Sequence, residues 1–524
     1  DAVERSLEKI VTSAGDLGSS SFELERSITG WASEYHLSRK RAQLLCGFDF
    51  AREQRVLEIG SGCGAITRFL GETFAHVVAV EGSARRARIA RARTRDLEHV
   101  DVVCAPFQDL HFERKFDLVI VVGVLEYAAK FGSGSGDPYD AFLRRCRACL
   151  TDTGVLVLAI ENQFGLKYFA GIGEDHSGTP FDGLEGYATR RSPARTFGRH
   201  ELEARCRKQF ERVEFHYPFP DYKIPSAVLS EAALATLDVT GLVSAYPARD
   251  YLHARRKPIF DDALVWAELA RNRMSPLFSP SFLVVAGQTG SKLPSLGGLG
   301  VVYSANRKPE LQTVTRIVRD ASGDVRTIKS RRQGVRGATV GPLTLRAIEE
   351  PWVEGASLSM LLHQRSREGR SLLETFAPSK PWFEWLEDAS RSSGHPGMVD
   401  GRHLDAVWRN AFLVDGRCVF IDQEWAWNAP LKRELLVIRS LHDFFQGRGG
   451  ASAGKIAEIA AAFGVRLSAP DFDAFVDFEA HLRELVFDQE RDRMRRGLAF
   501  ELEHPYVYAR LRDVKRLARS LRRR

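Results

Sequence analysis

Three glycines at alternate positions, Gly60, Gly62 and Gly64, separate an apolar run, Arg55–Ile59, from a helix-forming run, Ala65–Thr73. Glycine has no Cβ, so a loop of this kind takes left-handed turns and lets backbone approach a ligand closely. Glu58 stands just before the loop, where a carboxylate suits the ammonium end of a ligand, directly or through water. Glu81 closes the next apolar run, 17 residues after Gly64, where one carboxylate accepts both hydroxyls of a ribose. The combination points to a ligand that carries a nucleoside. A dinucleotide competes, because Gly60-x-Gly62-x-x-Ala65 also satisfies the Rossmann fingerprint. The third glycine at 64 and the acid at 58 weigh toward a sulfonium nucleoside. Such a ligand donates its methyl group by displacement, in which most of the catalysis is positioning.

The elements around these residues must hold them at one edge of a sheet. From Ala2 to Leu45 the pattern is mostly helical; strands and helices then alternate. Arg55–Ile59, His76–Val80, Val100–Cys104, Phe116–Val122 and Gly154–Ile160 read as strands, and Ala65–Thr73, Arg85–Arg95 and Pro138–Leu150 as helices. The continuous apolar run Phe116–Val122 is what a sheet covered on both faces requires. This βαβα order predicts an α/β fold with a Rossmann-like, doubly wound parallel sheet. A helix at Arg199–Gln209 and a strand at Arg212–Tyr217 follow, and Ser281–Ala286 is expected to close the sheet. Gly287–Gly300 has linker composition. The expected organisation is a helical segment at 1–45, a domain with cap insertions at 46–288, a linker at 289–300, an α+β domain at 301–500 and a basic tail at 501–524.

The loop, its flanking acids and the fourth strand running into Gly123-Val124-Leu125-Glu126-Tyr127 together resemble the successive motifs of class I S-adenosylmethionine-dependent methyltransferases. The resemblance implies S-adenosylmethionine at Glu58, Gly60, Gly62, Gly64 and Glu81. It also implies that Ala105-Pro106-Phe107-Gln108-Asp109-Leu110 flanks the adenine; the family often has an acid where Pro106 falls, so Phe107 or Gln108 takes that contact. Tyr35-His36-Leu37-Ser38, Ala159–Tyr168, Glu174-Asp175-His176 and Tyr217–Lys223 resemble a bacterial subgroup that accompanies glycosyltransferases in surface-polysaccharide (O-antigen) synthesis. By that resemblance Tyr35 belongs to the cofactor site, and Glu161 and His176 are candidate catalytic groups. Glu161 ends a sheet strand, on the edge where such folds bind ligands. His176 is equally readable as a hydrogen bonder that steadies its loop.

The second half carries another constellation. His403-x-Asp405-x-x-x-x-Asn410 has the spacing of a kinase catalytic loop, and Asp422-x-Glu424 follows a short strand pair that turns at Asp415-Gly416. In kinase chemistry Asp405 orients or deprotonates the acceptor hydroxyl, while Asn410 and Asp422 hold magnesium. Lys329, on the second strand of a hairpin formed by Thr313–Arg319 and Val325–Arg331, lies where a lysine pairs with phosphates. Glu349–Gly355 reads as a hinge into the larger lobe. The Asp-x-Glu variant resembles the aminoglycoside and choline kinase branch, which implies ATP and Mg2+. Two departures count against activity. Gly297-Gly298-Leu299-Gly300 lies early for a phosphate loop, and about 20 residues between Lys329 and the hinge leave little room for the usual helix and its glutamate. The order of the two halves resembles the bifunctional methyltransferase–kinase family that terminates polymannose O-antigen chains. A glycan or glycan-phosphate acceptor is then expected. A phosphate oxygen is already anionic at neutral pH, so its methylation needs positioning and no strong base. The rival is a scaffold whose pseudokinase half recruits glycosyltransferases.

Composition bounds these readings. A chain of 524 residues with 44% hydrophobic and 27% charged residues is a soluble, multidomain globular type. No apolar run reaches the ~20 residues of a membrane span, and the first residues have no secretory signal pattern. Seven scattered cysteines predict a reducing, cytoplasmic setting. Cys146-x-x-Cys149 lies in a predicted helix, and core packing outweighs zinc there. The net charge of +7 is matched by Pro505–Arg524 alone, where Arg510, Arg512, Lys515, Arg516, Arg519, Arg522, Arg523 and Arg524 face only Asp513. No nucleic-acid surface is expected. The tail suits peripheral contact with the inner membrane, an acidic partner, or plain solvation.

Overall fold

The computed structural model describes residues 2–131, 136–188, 192–251, 259–331, 337–446, 448–487, 489–505 and 508–509. Most of the basic tail lies outside the described residues. The chain divides into two compact units, with the boundary after Val302.

The first unit starts with helices α1 (Ala2–Ser13), α2 (Phe22–Arg26) and α3 (Trp31–Leu37). Its sheet contains β1 (Arg55–Ile59), β2 (His76–Glu81), β3 (Val100–Cys104), β4 (Phe116–Val122), β5 (Leu150–Glu161), β6 (Arg212–Phe219), β7 (Ala227–Ser230), β8 (Ser281–Gly287) and β9 (Gly300–Tyr303). Helices α4 (Ala65–Thr73) and α5 (Ala84–Arg93) make the first two crossovers. The spatial order is β3-β2-β1-β4-β5-β8-β6-β7-β9. The first five strands are parallel, in register at Leu57↔Val78, Leu57↔Val119 and Val119↔Leu156. From β5 onward the pairings are antiparallel, at Ile160↔Phe282, Phe215↔Val284, Tyr217↔Leu229 and Val228↔Val301. This is the α/β, Rossmann-like sheet expected from the alternation of strands and helices.

Two expectations are corrected here. Ser281–Ala286 does not close the sheet; β8 inserts between β5 and β6 and is buried along its whole length. An apolar run covered on both faces belongs in a sheet interior, and an edge would leave its backbone N–H and C=O groups unpaired. The glycine-rich 289–300 segment, expected as a linker, is hydrogen-bonded along its length to the first unit. Ser295 exchanges hydrogen bonds with Asp49, Arg212 donates to the Ser291 carbonyl, Ser230 N–H donates to the Leu299 carbonyl, and Leu296 is buried.

Helix α1 docks on α5 through the apolar side chains Leu7, Val11 and Ile89. Glu4–Arg86 and Glu8–Arg88 ion pairs flank that contact. Cys146 and Cys149 are both free thiols buried in the core, on the helix Pro138–Cys149.

The second unit is α+β. Strands β10 (Thr313–Arg319) and β11 (Val325–Arg331) form a hairpin, and β11 pairs with β14 (Ile348–Pro351). Strands β12 (Gly337–Val340) and β13 (Leu343–Arg346) join Trp425–Trp427 in a second small sheet. A tight hairpin, Ala411–Val414 with Arg417–Phe420, turns at Asp415 and Gly416, both with positive φ. Six longer helices between Leu358 and Glu503 bury the apolar core, centred on Trp382 and Trp408. Their rings meet edge to face at 5.8 Å, and Trp382 Nε1 donates to the Ala406 carbonyl. The expected hinge is partly a strand: Glu349 to Pro351 pair with β11, and the chain turns only at Gly355, with φ +100. Between Lys329 and β14 the described residues contain strands and no helix.

Candidate functional site

The glycine loop follows β1 and opens α4, with φ of +78, +55 and +80 at Gly60, Gly62 and Gly64. Two of these positions also leave no space for a side chain. A Cβ at Gly60 would lie 2.4 Å from Val124 Cγ2, and one at Gly64 would lie 2.8 Å from Ala90 Cα. A Cβ at Gly62 would meet only His36, at 3.9 Å, so this glycine faces comparatively open space. Glu81 sits at the C-terminal end of β2. Its Oε2 accepts from the Gly62 N–H at 2.8 Å and its Oε1 from the Ser83 N–H at 2.9 Å, which ties loop and acid together.

Glu58 is buried, and Thr67 on α4 donates to its Oε2 at 2.6 Å. Burial pushes its carboxyl up to about 7; the Thr67 hydroxyl and Arg41 oppose the rise, and Glu81 adds to it. A cation placed here would reverse the shift. Tyr35, on α3, stacks under the Arg41 guanidinium at 4.2 Å, and Arg41 donates to the Lys223 carbonyl. Gln108 is exposed, whereas the Phe107 ring is buried edge to face against Phe142 and beneath Arg145.

Beside the loop lies a buried cluster that the sequence indicates only in pieces. Glu126 follows β4 in a short 3-10 turn, Glu161 ends β5, and His176 comes from the next loop. All three are withdrawn from solvent; Glu126 and Glu161 are 1% and 0% exposed. The His176 Nδ1 is 2.8 Å from Glu174 Oε1, and its Nε2 is 3.8 Å from Glu126 Oε1 and 4.0 Å from Glu161 Oε2. Tyr222 donates to Glu161 Oε1 at 3.2 Å, and Lys223 pairs with the same oxygen. Lys223 and Lys167 both hold Asp175, at 2.7 and 2.8 Å. The cluster belongs to the same edge as the glycine loop. A Cβ at Gly123 would meet the Tyr222 hydroxyl at 2.8 Å and Glu126 Oε1 at 3.5 Å.

Burial alone would depress the His176 imidazole, yet Glu161, Glu126 and Glu174 hold it well above its usual range. Burial raises Glu126, with His176 opposing and Glu161 reinforcing. Burial opposes the charge on Lys223 too, but Asp175, Glu161 and Asp221 keep it well above the ordinary lysine value. An imidazole facing two carboxylates can exchange a proton with an acceptor or accept a cation in its place. Sequence reasoning picked out Glu161 and His176 but gave no role to Glu126, Glu174, Tyr222 or Lys223. The signal available was the presence of charged residues inside strongly aromatic, apolar segments.

In the second unit the structure brings Lys329, Asp405, Asn410 and Asp422 together. Lys329 is buried, pairs with Asp422 and reaches Glu424 Oε1 at 3.0 Å. Arg307, which the sequence did not single out, holds both oxygens of the fully buried Glu424. Asn410 Nδ2 donates to the Asp405 carbonyl at 3.0 Å. Burial raises the Asp405 carboxyl, with Arg409 and Arg439 opposing at 3.8 and 3.6 Å. Asp422 has a left-handed backbone, φ +61, and its N–H donates to Glu350. Asp405, Asp422, Arg307, Arg409, Arg439 and Glu479 line a cavity of about 720 Å³.

Comparison with known proteins identifies the first unit's core. Residues 57–156 match the family described as methyltransferase domain, so the chain carries such a domain. A ubiquinone biosynthesis O-methyltransferase of Bradyrhizobium diazoefficiens is 30% identical over 111 residues, covering 21% of this chain and 40% of that protein. The same enzyme of Nitrobacter winogradskyi is 26% identical over 119 residues, covering 22% and 42%. The matched segment thus spans about two fifths of these relatives. Among solved structures, the N-methyltransferase NodS of Bradyrhizobium japonicum aligns with a TM-score of 0.21 and 22% identity, over 24% of this chain and 67% of that one.

Proposed function

We propose that the first unit transfers a methyl group from S-adenosylmethionine to an oxygen of a glycan or glycan phosphate. The observation that carries this reading is the tie between Glu81 and the Gly62 N–H, beside the buried Glu126–Glu161–His176 cluster. The residues suit the donor: Gly62 leaves space against the loop, Glu81 offers its carboxylate to ribose hydroxyls, and Glu58 offers a buried acid to a cationic end. S-adenosylmethionine, when bound, supplies an electrophilic methyl group. A hydroxyl acceptor also loses a proton, for which Glu161 is the candidate base, His176 being already protonated beside its carboxylates; an anionic phosphate needs no base.

The second unit is read as a kinase-like module that prepares or selects the acceptor, in a protein that works at the cytoplasmic side of the inner membrane. Asp422 and Asn410 would hold Mg2+, Lys329 would meet ATP phosphates, and Asp405 would face the acceptor hydroxyl. One observation favours a second reading. Lys329 is already neutralised by Asp422 and Glu424, and the Asn410 amide is engaged by Asp405. A unit closed in this way suits a pseudokinase scaffold that recruits glycosyltransferases.

The test is transfer of tritiated methyl to surface glycans with the purified chain. Glu81→Ala and Gly62→Arg should each abolish it, and full activity in both would end the assignment. Titration with ATP and Mg2+ separates the two readings of the second unit.

A further inference from the structure

We propose that Glu126, Glu161 and His176 bind a divalent metal ion, which holds the acceptor oxygen; the second clause rests on the methyl-transfer reading above, and the first does not. The three side chains each offer one ligand atom, and all three atoms lie within 4.8 Å of one another. Metal–ligand bonds of about 2.1 Å in a tetrahedral set place ligand atoms roughly 3.4 Å apart. Closing on an ion therefore draws the three side chains together by up to about 1.4 Å.

Two further observations point to a ligand. Glu126 Oε2 and Glu161 Oε2 are completely buried, and neither has a hydrogen-bond partner among the described residues. An orphaned buried carboxylate oxygen is expensive, and an ion or a water repays it. The surrounding groups also hold two of the three ligands, His176 and Glu161, by their other atom. Glu174 Oε1 takes His176 Nδ1 at 2.8 Å, which leaves Nε2 aimed at the carboxylates. Tyr222 and Lys223 occupy Glu161 Oε1 and leave Oε2 unshared. A carboxylate behind a ligating histidine fixes its tautomer and ring orientation.

Charge agrees. Among the groups in direct contact, Glu126, Glu161, Glu174 and Asp175 are acidic, and Lys167 and Lys223 are basic. With His176 neutral, as a ligand must be, these acids, joined by the buried Asp221 beside Lys223, outnumber the bases. Two carboxylates and one imidazole, with the remaining positions open, suit Mn2+, Fe2+ or Zn2+ better than the all-oxygen preference of Mg2+ or Ca2+.

The experiment uses the full chain stripped with a chelator, carrying Asp422→Ala so that the second unit's acid does not contribute. Mn2+ is titrated and followed by electron paramagnetic resonance, without methyl donor or acceptor. One equivalent should bind, and Zn2+ should displace it. Glu161→Gln and His176→Ala should each weaken binding at least 10-fold, and Glu174→Gln 10- to 100-fold. Circular dichroism and cooperative thermal unfolding serve as the fold control in each variant. No bound Mn2+ or Zn2+ in the parent, or equal affinity in folded Glu161→Gln, overturns the site. Metal binding without methyl transfer to any glycan leaves the site standing and removes the acceptor role.

Discussion

The His176 imidazole is held from behind by Glu174, Nδ1 to Oε1 at 2.8 Å, so that its second nitrogen points into a space bounded by Glu126 and Glu161. The neighbouring N–H groups of His176 and Ser177 also donate to Glu174, at 2.8 and 2.7 Å, which makes the carboxylate the anchor of the whole turn. The hydrogen bond fixes the tautomer and the orientation of the ring.

Glu174→Gln should therefore slow methyl transfer by about 10- to 100-fold, the usual effect of removing a carboxylate that orients a functional histidine. Affinity for S-adenosylhomocysteine should stay unchanged, because the hydrogen bonds of Glu174 run to His176, Ser177, Gly178 and Thr179 within its own turn. Single-turnover rates and calorimetry on the same preparation check both halves.

Glu58 makes the unliganded protein sensitive to pH. Its folded value of about 7 lies above the ordinary 4.5. The folded state therefore binds this proton more tightly than the unfolded chain. The stability it contributes is fully present below 4.5 and is lost as pH rises through 7. In that window the fall is about 1.4 kcal/mol per pH unit at most. Chemical denaturation of wild type and Glu58→Gln from pH 4.5 to 8 should show this slope in the difference between the two, since the other shifted groups are common to both. Affinity for S-adenosylmethionine should rise over the same window, with release of up to one proton.

Gly64→Ala should destabilise the first unit by about 2–4 kcal/mol. The backbone is left-handed at φ +80, which costs ~1–2 kcal/mol for a residue with a Cβ. The added atom also falls 2.8 Å from the α5 backbone at Ala90, a contact that no side-chain rotation relieves. Gly82→Ala, where a Cβ meets nothing within 4 Å, is the control and should shift the melting temperature far less.

In the second unit, Lys329→Met leaves Asp422 and Glu424 with Arg307 as their remaining buried cation. If the unit takes up ATP and Mg2+, this variant and Asp422→Ala should each lose binding by at least 10-fold in calorimetry. A pseudokinase closed by its own lysine predicts no ATP binding in the parent, and loss of folding stability in Lys329→Met.

The α/β alternation, the parallel core and the glycine-and-acid signature were legible in the chain because each is local. Apolar periodicity sets strand and helix, and glycine spacing sets the turn between them. The three-residue signature Gly60, Gly62, Gly64 took the positive φ angles it implies. The spacing of Asp405 and Asn410 likewise brought those two residues into contact, Asn410 Nδ2 donating to the Asp405 carbonyl. Assembly across the sequence was decided only in three dimensions. Glu126, Glu161, His176 and Lys223 span almost a hundred residues, and their meeting depends on β4 and β5 pairing in parallel, so that both strands end at the same edge. The place of β8 between β5 and β6, and the pairing of Lys329 with Asp422 and Glu424, depend on the same kind of long-range choice. Local residue types determine which elements form. Which buried charges face one another is set by packing, because a charge buried far from its partner in sequence can only be compensated by what the fold brings to it.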